Sequence, residues 1–600
     1  MARFVRYGLL ALLLSLLTGG EALAQADTSR TKKWSGNLEL ISGLGFNHIK
    51  DEGVVVDTLF HIREQAILQL KRTTPTFSFT TQAQGIYEKN GTYTRRSSMK
   101  HEKEVEILGR GSNFLKPGSN LRSEFSWRPG NGHQLTAFLS YQYGYDHTDN
   151  VSVSITADTS KMVSLKSAVE DLIVHQHMAT AGWRSSHPLG SSRHQLLTAG
   201  EWKGSFRRQQ SEWTKLMLYF IEDPSKESSA NIYRLTPSTD ANEETLTVSY
   251  RDSLLGGKHK LTVEPGMRIR LQHTLDENNG AVRIDEHTWR DSTRLHEDFN
   301  YFTAQMEPQL RLEYHYLSLR VSADYSLQLY GRQLNNHLHY QAFQWQQPAV
   351  VGRTFIEWSP SSIHQLTLGS TMSLTRPTYL QICWYDRQGT DPGQLFEGNP
   401  DLLPTRSYAT DLTWRLRLGR FRLNAAATYD YRIREIELFF YDDVIDGQNF
   451  RIFTWQNSAY SHIFTERLQL SWNGQVLSSN VNVNFQQKKQ TNPIQEKTSQ
   501  FNHWNITADI TVRPGQGWSI SASGSYNGNN RSLYRLVKQY YTLNARITKE
   551  FKRIAVYLEG RDLLDHVFTT QYYSQDMSDQ WEETSTLNRR LFQLGFTWKF

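Results

Sequence analysis

Charged residues recur on alternate positions of this chain. In LTVEPGMRIRLQ, residues 261–272, Glu264, Arg268 and Arg270 fall on one face of an extended segment; Arg320 and Asp324 do so in LSLRVSADYSLQL, Arg415 and Arg417 in WRLRL, and Arg422 and Arg432 in FRLNAAATYDYR. Side chains two apart on a strand point the same way. A file of guanidinium groups has two uses. Its planar forks can hold or pass a solute bearing carboxylate or phosphate, or they can pair with carboxylates of the same wall. Glu307, Arg311, Glu313, Asp411, Asp430 and Arg546 share the alternation. Acids interleaved with bases favour the paired lattice, and a basic path for an anionic solute is the alternative.

Other chemistry finds less support. Asp442, Asp443 and Asp446 cluster in YDDVIDGQ, but their spacing is not that of an EF-hand loop, and a solvated loop is the simpler reading. Neither H-E-x-x-H nor G-x-S-x-G occurs among the scattered histidines and serines. Cys383 is the single cysteine, which rules out a disulfide framework or a cysteine-rich metal site. The net charge is +6, with no Lys/Arg run to mark a nucleic-acid surface. We therefore expect no catalytic residue, no cofactor and no metal. The aromatic stretches FQWQQP, CWYD and IFTWQ suit either the gripping of a sugar or protein partner, or packing of loop on loop.

The elements that position these residues are strands. In LSLRVSADYSLQL, Leu317, Leu319, Val321, Ala323, Tyr325, Leu327 and Leu329 oppose Ser318, Arg320, Ser322, Asp324, Ser326 and Gln328. Such runs exceed the ~5–6 residues of an ordinary strand and reach the ~9–11 of a tilted membrane strand. Ten short turns recur, several with one grammar: Trp127, Pro129, His133, Leu135 in one, and Trp358, Pro360, His364, Leu366 in another, with His194 and His259 at similar turn exits. Between successive turns lie long polar connections, so loop length is one-sided, as in outer-membrane barrels. Ten hairpins plus a first strand near NLELISGLGF and a terminal strand give about 22 strands. Phe592, Leu594, Phe596, Trp598 and Phe600 make one face of that last strand. The expected fold is all-β: an antiparallel transmembrane barrel with long external loops and short periplasmic turns. Mean hydropathy of −0.58 fits, because only alternate residues meet lipid. The N-terminus carries Arg3 and Arg6, an apolar run from Leu9 to Leu17, and Ala22-Leu23-Ala24, the pattern of a secretory signal peptide over residues 1–24. A short periplasmic segment, 25–33, then leads to a barrel over 34–600.

One stretch is more specific. SLTRPTYLQICWYDRQGTDPGQLFEGNPDLLPTRSYATDLTWRL resembles the mid-barrel segment of TonB-dependent outer-membrane receptors of Bacteroidota-like type. The matching residues are Arg376 and Pro377 closing a strand, then Gly398, Asn399, Pro400, Asp401, Leu402 and Pro404 before the next. Asp562-Leu563-Leu564-Asp565 is similar to that family's late turn, and the final Phe600 to its assembly signal. The resemblance implies a 22-strand barrel working in solute uptake, or as the barrel subunit of a surface complex. It also implies a plug domain, for which QADTSRTKKW offers no room, so the expectation is a barrel without a plug of its own. The implied partners are outer-membrane lipid and lipopolysaccharide, the barrel-assembly machinery, and a separate plug or surface lipoprotein. Whether TonB energises the barrel stays open. A closed docking barrel and, less favoured, an outer-membrane enzyme are the alternatives.

Overall fold

Alternation on this scale folds as a closed wall. The computed structural model describes residues 34–599 apart from short internal stretches, the longest being 220–228; the expected signal peptide, the segment 25–33, Cys383, Asp446, Asp565 and Phe600 lie outside the described residues. Twenty-two strands, from Trp34–Asp51 to Arg590–Lys599, form an antiparallel barrel. Closure is direct: Asn37 pairs with Lys599 and Phe46 with Arg590. The strand number agrees with that expected from ten turns and two terminal strands. All ten turns lie at one end, together with both ends of the described chain; reversals as tight as Leu317–Ser318 and Gly419–Arg420 are among them. By the one-sided rule for loop length this is the periplasmic end.

The opposite end corrects one expectation. Most of the long polar connections are not loops but continuations of the strands. Lys161–Leu189 and Ser191–Tyr219 each run for 29 residues, far more than the ~9–11 that cross a membrane. Polar sequence with unbroken backbone pairing extends the sheet above the bilayer, because each backbone N–H and C=O finds its partner on the neighbouring strand.

The outer face is apolar. On the closing strand Phe592, Leu594, Phe596 and Trp598 are exposed, while Leu591 and Gln593, alternating with them, are buried. Two aromatic levels bound this band. Near the turns lie Trp127, Trp358, Trp472 and Trp518, all exposed. Histidines join them: His364 stacks on Trp414, His259 on Tyr316, and His194 Nδ1 lies 2.9 Å from the Tyr250 hydroxyl. Higher up, His462 Nδ1 meets the Tyr429 hydroxyl at 2.7 Å and stacks on Tyr431, and His177 Nδ1 meets Tyr141 at 2.7 Å. Trp472 and His462 share one strand. Their spacing corresponds to about 33 Å along the strand and about 25 Å along the barrel axis at a tilt near 40°, the height of an outer-membrane apolar band. An amphipathic ring at each edge has its apolar body in lipid and its polar atom in the headgroup layer.

The seam has its own fastening. Tyr557, on Ile554–Arg561, reaches across the closing strand and donates its hydroxyl to Glu39 Oε1 on the first strand at 3.1 Å. It passes over Gly595, where an added Cβ would run into the Tyr557 ring. The Arg546 guanidinium lies 3.5 Å from the centre of the same ring.

Candidate functional site: the lumen wall and the strap across the mouth

The inward face carries the charges read from the sequence. Glu264 is held by Arg251 at 2.9 Å and by the Ser249 hydroxyl at 2.9 Å. Arg268 reaches buried Glu307 at 3.3 Å, and Gln328 also donates to Glu307. Arg270 lies 3.6 Å from Glu243. Glu313 gathers Arg320 at 2.7 Å, His315 at 2.8 Å and Arg311 at 3.7 Å. Arg432 pairs with Asp430 at 2.7 Å. These are ladders within one wall.

Four of the charges stand apart. Asp324 is opposite Arg311 and Arg353 in register, yet no ion pair within 4 Å forms among the described residues. Among the described residues Arg415 reaches only Gln365 Oε1, at 3.4 Å. Arg417 and Arg422 sit directly opposite each other, beside the Gly419–Arg420 turn. Like charges in register repel, so this patch keeps its solvation and gives the lumen a basic zone at the periplasmic end.

The family-motif residues build something the strand pattern does not reveal. The described parts of 376–404 form a strap anchored on two separated parts of the wall. Ile382, in the short helix Tyr379–Ile382, and Leu402 are buried with Tyr301 and Leu334 on one side, and Ile436 and Trp455 pack against them from the other. The ring strands Ala349–Trp358, His364–Thr375 and Thr405–Leu418 lie between these anchors. The strap therefore runs as a chord inside the mouth. Its far end, Gln394–Phe396, pairs in parallel with Arg451–Phe453, an edge that Leu477–Asn492 leaves free because its own pairing begins at Tyr460.

Each motif residue has a task in that anchorage. Arg376 lies over the Tyr330 ring at 4.1 Å and donates to Gln328 Oε1 at 2.9 Å. Pro377 and Gly398 are buried where the strap leaves and rejoins the wall. Asn399 Nδ2 donates to the Trp455 carbonyl at 2.9 Å, and its Oδ1 caps the Asp401 N–H. Arg332 donates to the Pro400 carbonyl at 2.8 Å. Leu402 is the apolar plug of the cluster, and Pro404 leads into the next strand.

Asn457 completes the fastening. Its Oδ1 accepts from the Leu403 N–H at 2.6 Å, and its Nδ2 donates to the carbonyls of Leu403 and Arg434 at 2.8 and 2.9 Å. Asn457→Ala should cost the strap about 1–3 kcal/mol of docking. It should be seen as faster protease cleavage within 376–404 on intact outer membranes, with barrel mobility on gels unchanged. Tyr301, Arg332, Leu334 and Asn457 escaped sequence reasoning. Each reads as an ordinary wall residue, and only the strap gives it a second partner.

A second hairpin covers another edge. Val567–Tyr573 and Gln580–Thr586 pair with each other, and Gln580–Ser585 pairs with Thr94–Met99 above the level where Val54–Thr73 stops pairing. Lys538 Nζ and Gln571 Nε2 donate to Glu582 at 2.8 and 2.7 Å. Burial opposes ionisation of Glu582, but those bonds outweigh it and hold its carboxyl below the usual range.

Residues 353–598 match the model of an outer membrane protein beta-barrel family. With the closed ring and its two aromatic levels, that decides the setting. The chain is an integral outer-membrane β-barrel. This barrel resembles those of TonB-dependent receptors. Its fold is similar to that of the ferric citrate transporter FecA in the unliganded form, at 10% identity over 94% of this chain and 78% of that one, with a TM-score of 0.60. It is also similar to FpvA of P. aeruginosa bound to a heterologous pyoverdine, at 10% identity over 96% and 72%, TM-score 0.58. A third likeness is to the ferric-catecholate import receptor Fiu of K12 E. coli in its closed form, at 11% identity over 94% and 82%, TM-score 0.56. At such identity these are likenesses of fold. No curated protein matches the outer-membrane barrel in sequence.

Proposed function

We propose that this outer-membrane barrel takes part in solute uptake, with its lumen as the path and the 376–404 strap as the element that restricts it. The observation that supports the reading is the chord: Ile382 and Leu402 are buried against wall strands on two sides of the mouth. A 22-strand bore is wide enough to need an internal obstruction. The basic patch at Arg415, Arg417 and Arg422 lies at the periplasmic end of the same path and favours anionic solutes on the way out. A partner that closes the rest of the bore, either a separate plug or a surface lipoprotein, belongs to the same reading.

Liposome swelling tests the proposal. Proteoliposomes of the full chain should admit small saccharides slowly, and anionic ones faster than neutral ones of equal size. Triple substitution Arg415→Gln, Arg417→Gln, Arg422→Gln should remove the charge preference and leave neutral entry unchanged. An impermeable barrel, with or without the strap docked, would favour the docking alternative instead.

A further inference from the structure

A second basic cluster lies at the opposite end, and the lattice does not explain it. Arg332, Arg376, Arg406 and Arg434 line one cavity of about 470 Å³, together with Gln341, Gln344, Gln346, Gln347 and Trp345. Among the described residues no carboxylate lines it. The adjoining crevice of about 620 Å³ shares Arg332 and three of the glutamines and adds Tyr340 and one acid, Asp401. Glu435, next in sequence to Arg434, is engaged elsewhere, by Lys488 at 3.5 Å, Gln490 at 2.9 Å and Arg432 at 3.9 Å. Four guanidinium groups around one cavity repel each other; Arg376 feels the Glu307 carboxylate of the lattice, while Arg332, Arg406 and Arg434 form no ion pair among the described residues.

The cluster is built, not incidental. Arg434 has φ of +58°, the left-handed region that a side chain rarely adopts. It stands in a bulge where the register shifts between Arg432 and Glu435. Bulges re-aim side chains, and such strain persists only where the surroundings hold it. Here Asn457 and the Thr405 hydroxyl both donate to the Arg434 carbonyl, at 2.9 and 2.8 Å. Arg332 and Arg376 belong to the inward face, as their contacts with Pro400 and Tyr330 show. Leu374 and Arg406, by contrast, share the lipid-facing set with Leu412 and Trp414. The cavity is thus a slot in the wall, just above Tyr408 and so at headgroup level. Trp345 beside it is half exposed. This is the FQWQQP stretch, for which the uptake reading has no use.

We propose that this slot binds a phosphorylated saccharide. Guanidinium forks match phosphate oxygens in pairs, glutamine amides offer both donors and acceptors to sugar hydroxyls, and an exposed indole face suits the apolar side of a sugar ring. That chemistry has two sources: a soluble sugar phosphate, or the phosphorylated disaccharide headgroup of the outer leaflet. The proposal stands apart from the uptake reading, since it concerns binding at the slot and not passage through the bore.

The test is calorimetry and native mass spectrometry on the detergent-solubilised full chain. The soluble probes are fructose 1,6-bisphosphate, fructose and sulfate; the lipid probes are diphosphoryl lipid A and its dephosphorylated form. At least one phosphorylated probe should bind tenfold or more tightly than both its unphosphorylated counterpart and sulfate. Arg406→Gln with Arg434→Gln should weaken it at least tenfold, and Trp345→Ala should weaken it too. Arg406→Lys with Arg434→Lys, which keeps the charge and loses the forks, should lie between. Heat-modifiable gel mobility confirms that each variant remains a barrel. Tight binding of fructose 1,6-bisphosphate alone identifies a solute site, and of diphosphoryl lipid A alone a leaflet site. Equal binding of phosphorylated and unphosphorylated probes, sulfate binding as tightly as either, or undiminished binding by the folded glutamine variant would overturn the proposal.

Discussion

Leu402→Asp is expected to free the strap while leaving the ring intact. Leu402 and Ile382 are almost wholly buried with Tyr301 and Leu334. Truncating such a leucine alone costs about 2–5 kcal/mol, and a carboxylate left there without a partner costs more. The strap has few other apolar anchors, so a penalty of that size exceeds what its hydrogen bonds can offset. Hydrogen exchange should accelerate by at least two orders of magnitude at Tyr379–Ile382 and at 397–404. The ring strands beneath the aromatic levels should exchange as slowly as before. Conservative Leu402→Met should leave the strap docked. If Leu402→Asp left exchange unchanged, the cluster would not be what holds the strap.

The second large effect concerns closure. Gly595→Val should weaken the seam, because any side chain there occupies the space of the Tyr557 ring. Displacing the ring breaks its bond to Glu39 and its contact with Arg546. Overpacking of this kind costs about 1–3 kcal/mol. Tyr557→Phe removes the hydroxyl alone and should cost about 1 kcal/mol. The check is the temperature at which the folded gel band disappears: lowered clearly by Gly595→Val, slightly by Tyr557→Phe. A smaller loss for the valine than for the phenylalanine variant would contradict the role given to the ring.

How much of this was legible in the sequence follows from the range of the interactions. Alternation and turns are local, so ten reversals sufficed to count the ring, and Phe592, Leu594, Phe596 and Trp598 could be placed on one face. The parity that aligns Glu264, Arg268, Arg270, Arg320, Arg422 and Arg432 is equally local. Their partners are less so: Arg268 finds Glu307, and Glu264 finds Arg251, through registers that no single strand specifies. The length of the strands is hidden in the sequence for a related reason. Polar composition above the membrane reads as loop, although backbone pairing continues there whatever the side chains are. The strap and the seam were invisible. Leu402 meets Tyr301 and Trp455, and Tyr557 meets Glu39, only after the ring has closed. The motif Gly398-Asn399-Pro400-Asp401-Leu402 marked the place by resemblance, but not the contacts that explain it.

In the proposed function the strap restricts an otherwise wide bore. Single-channel conductance in planar bilayers tests it most directly, comparing the full chain with its Leu402→Asp variant. Small, fluctuating currents are expected from the full chain and a severalfold larger, steady current from the variant. Equal currents from the two, whether both large or both absent, would contradict it: the first would mean that the strap leaves the path open, the second that something other than the strap closes it.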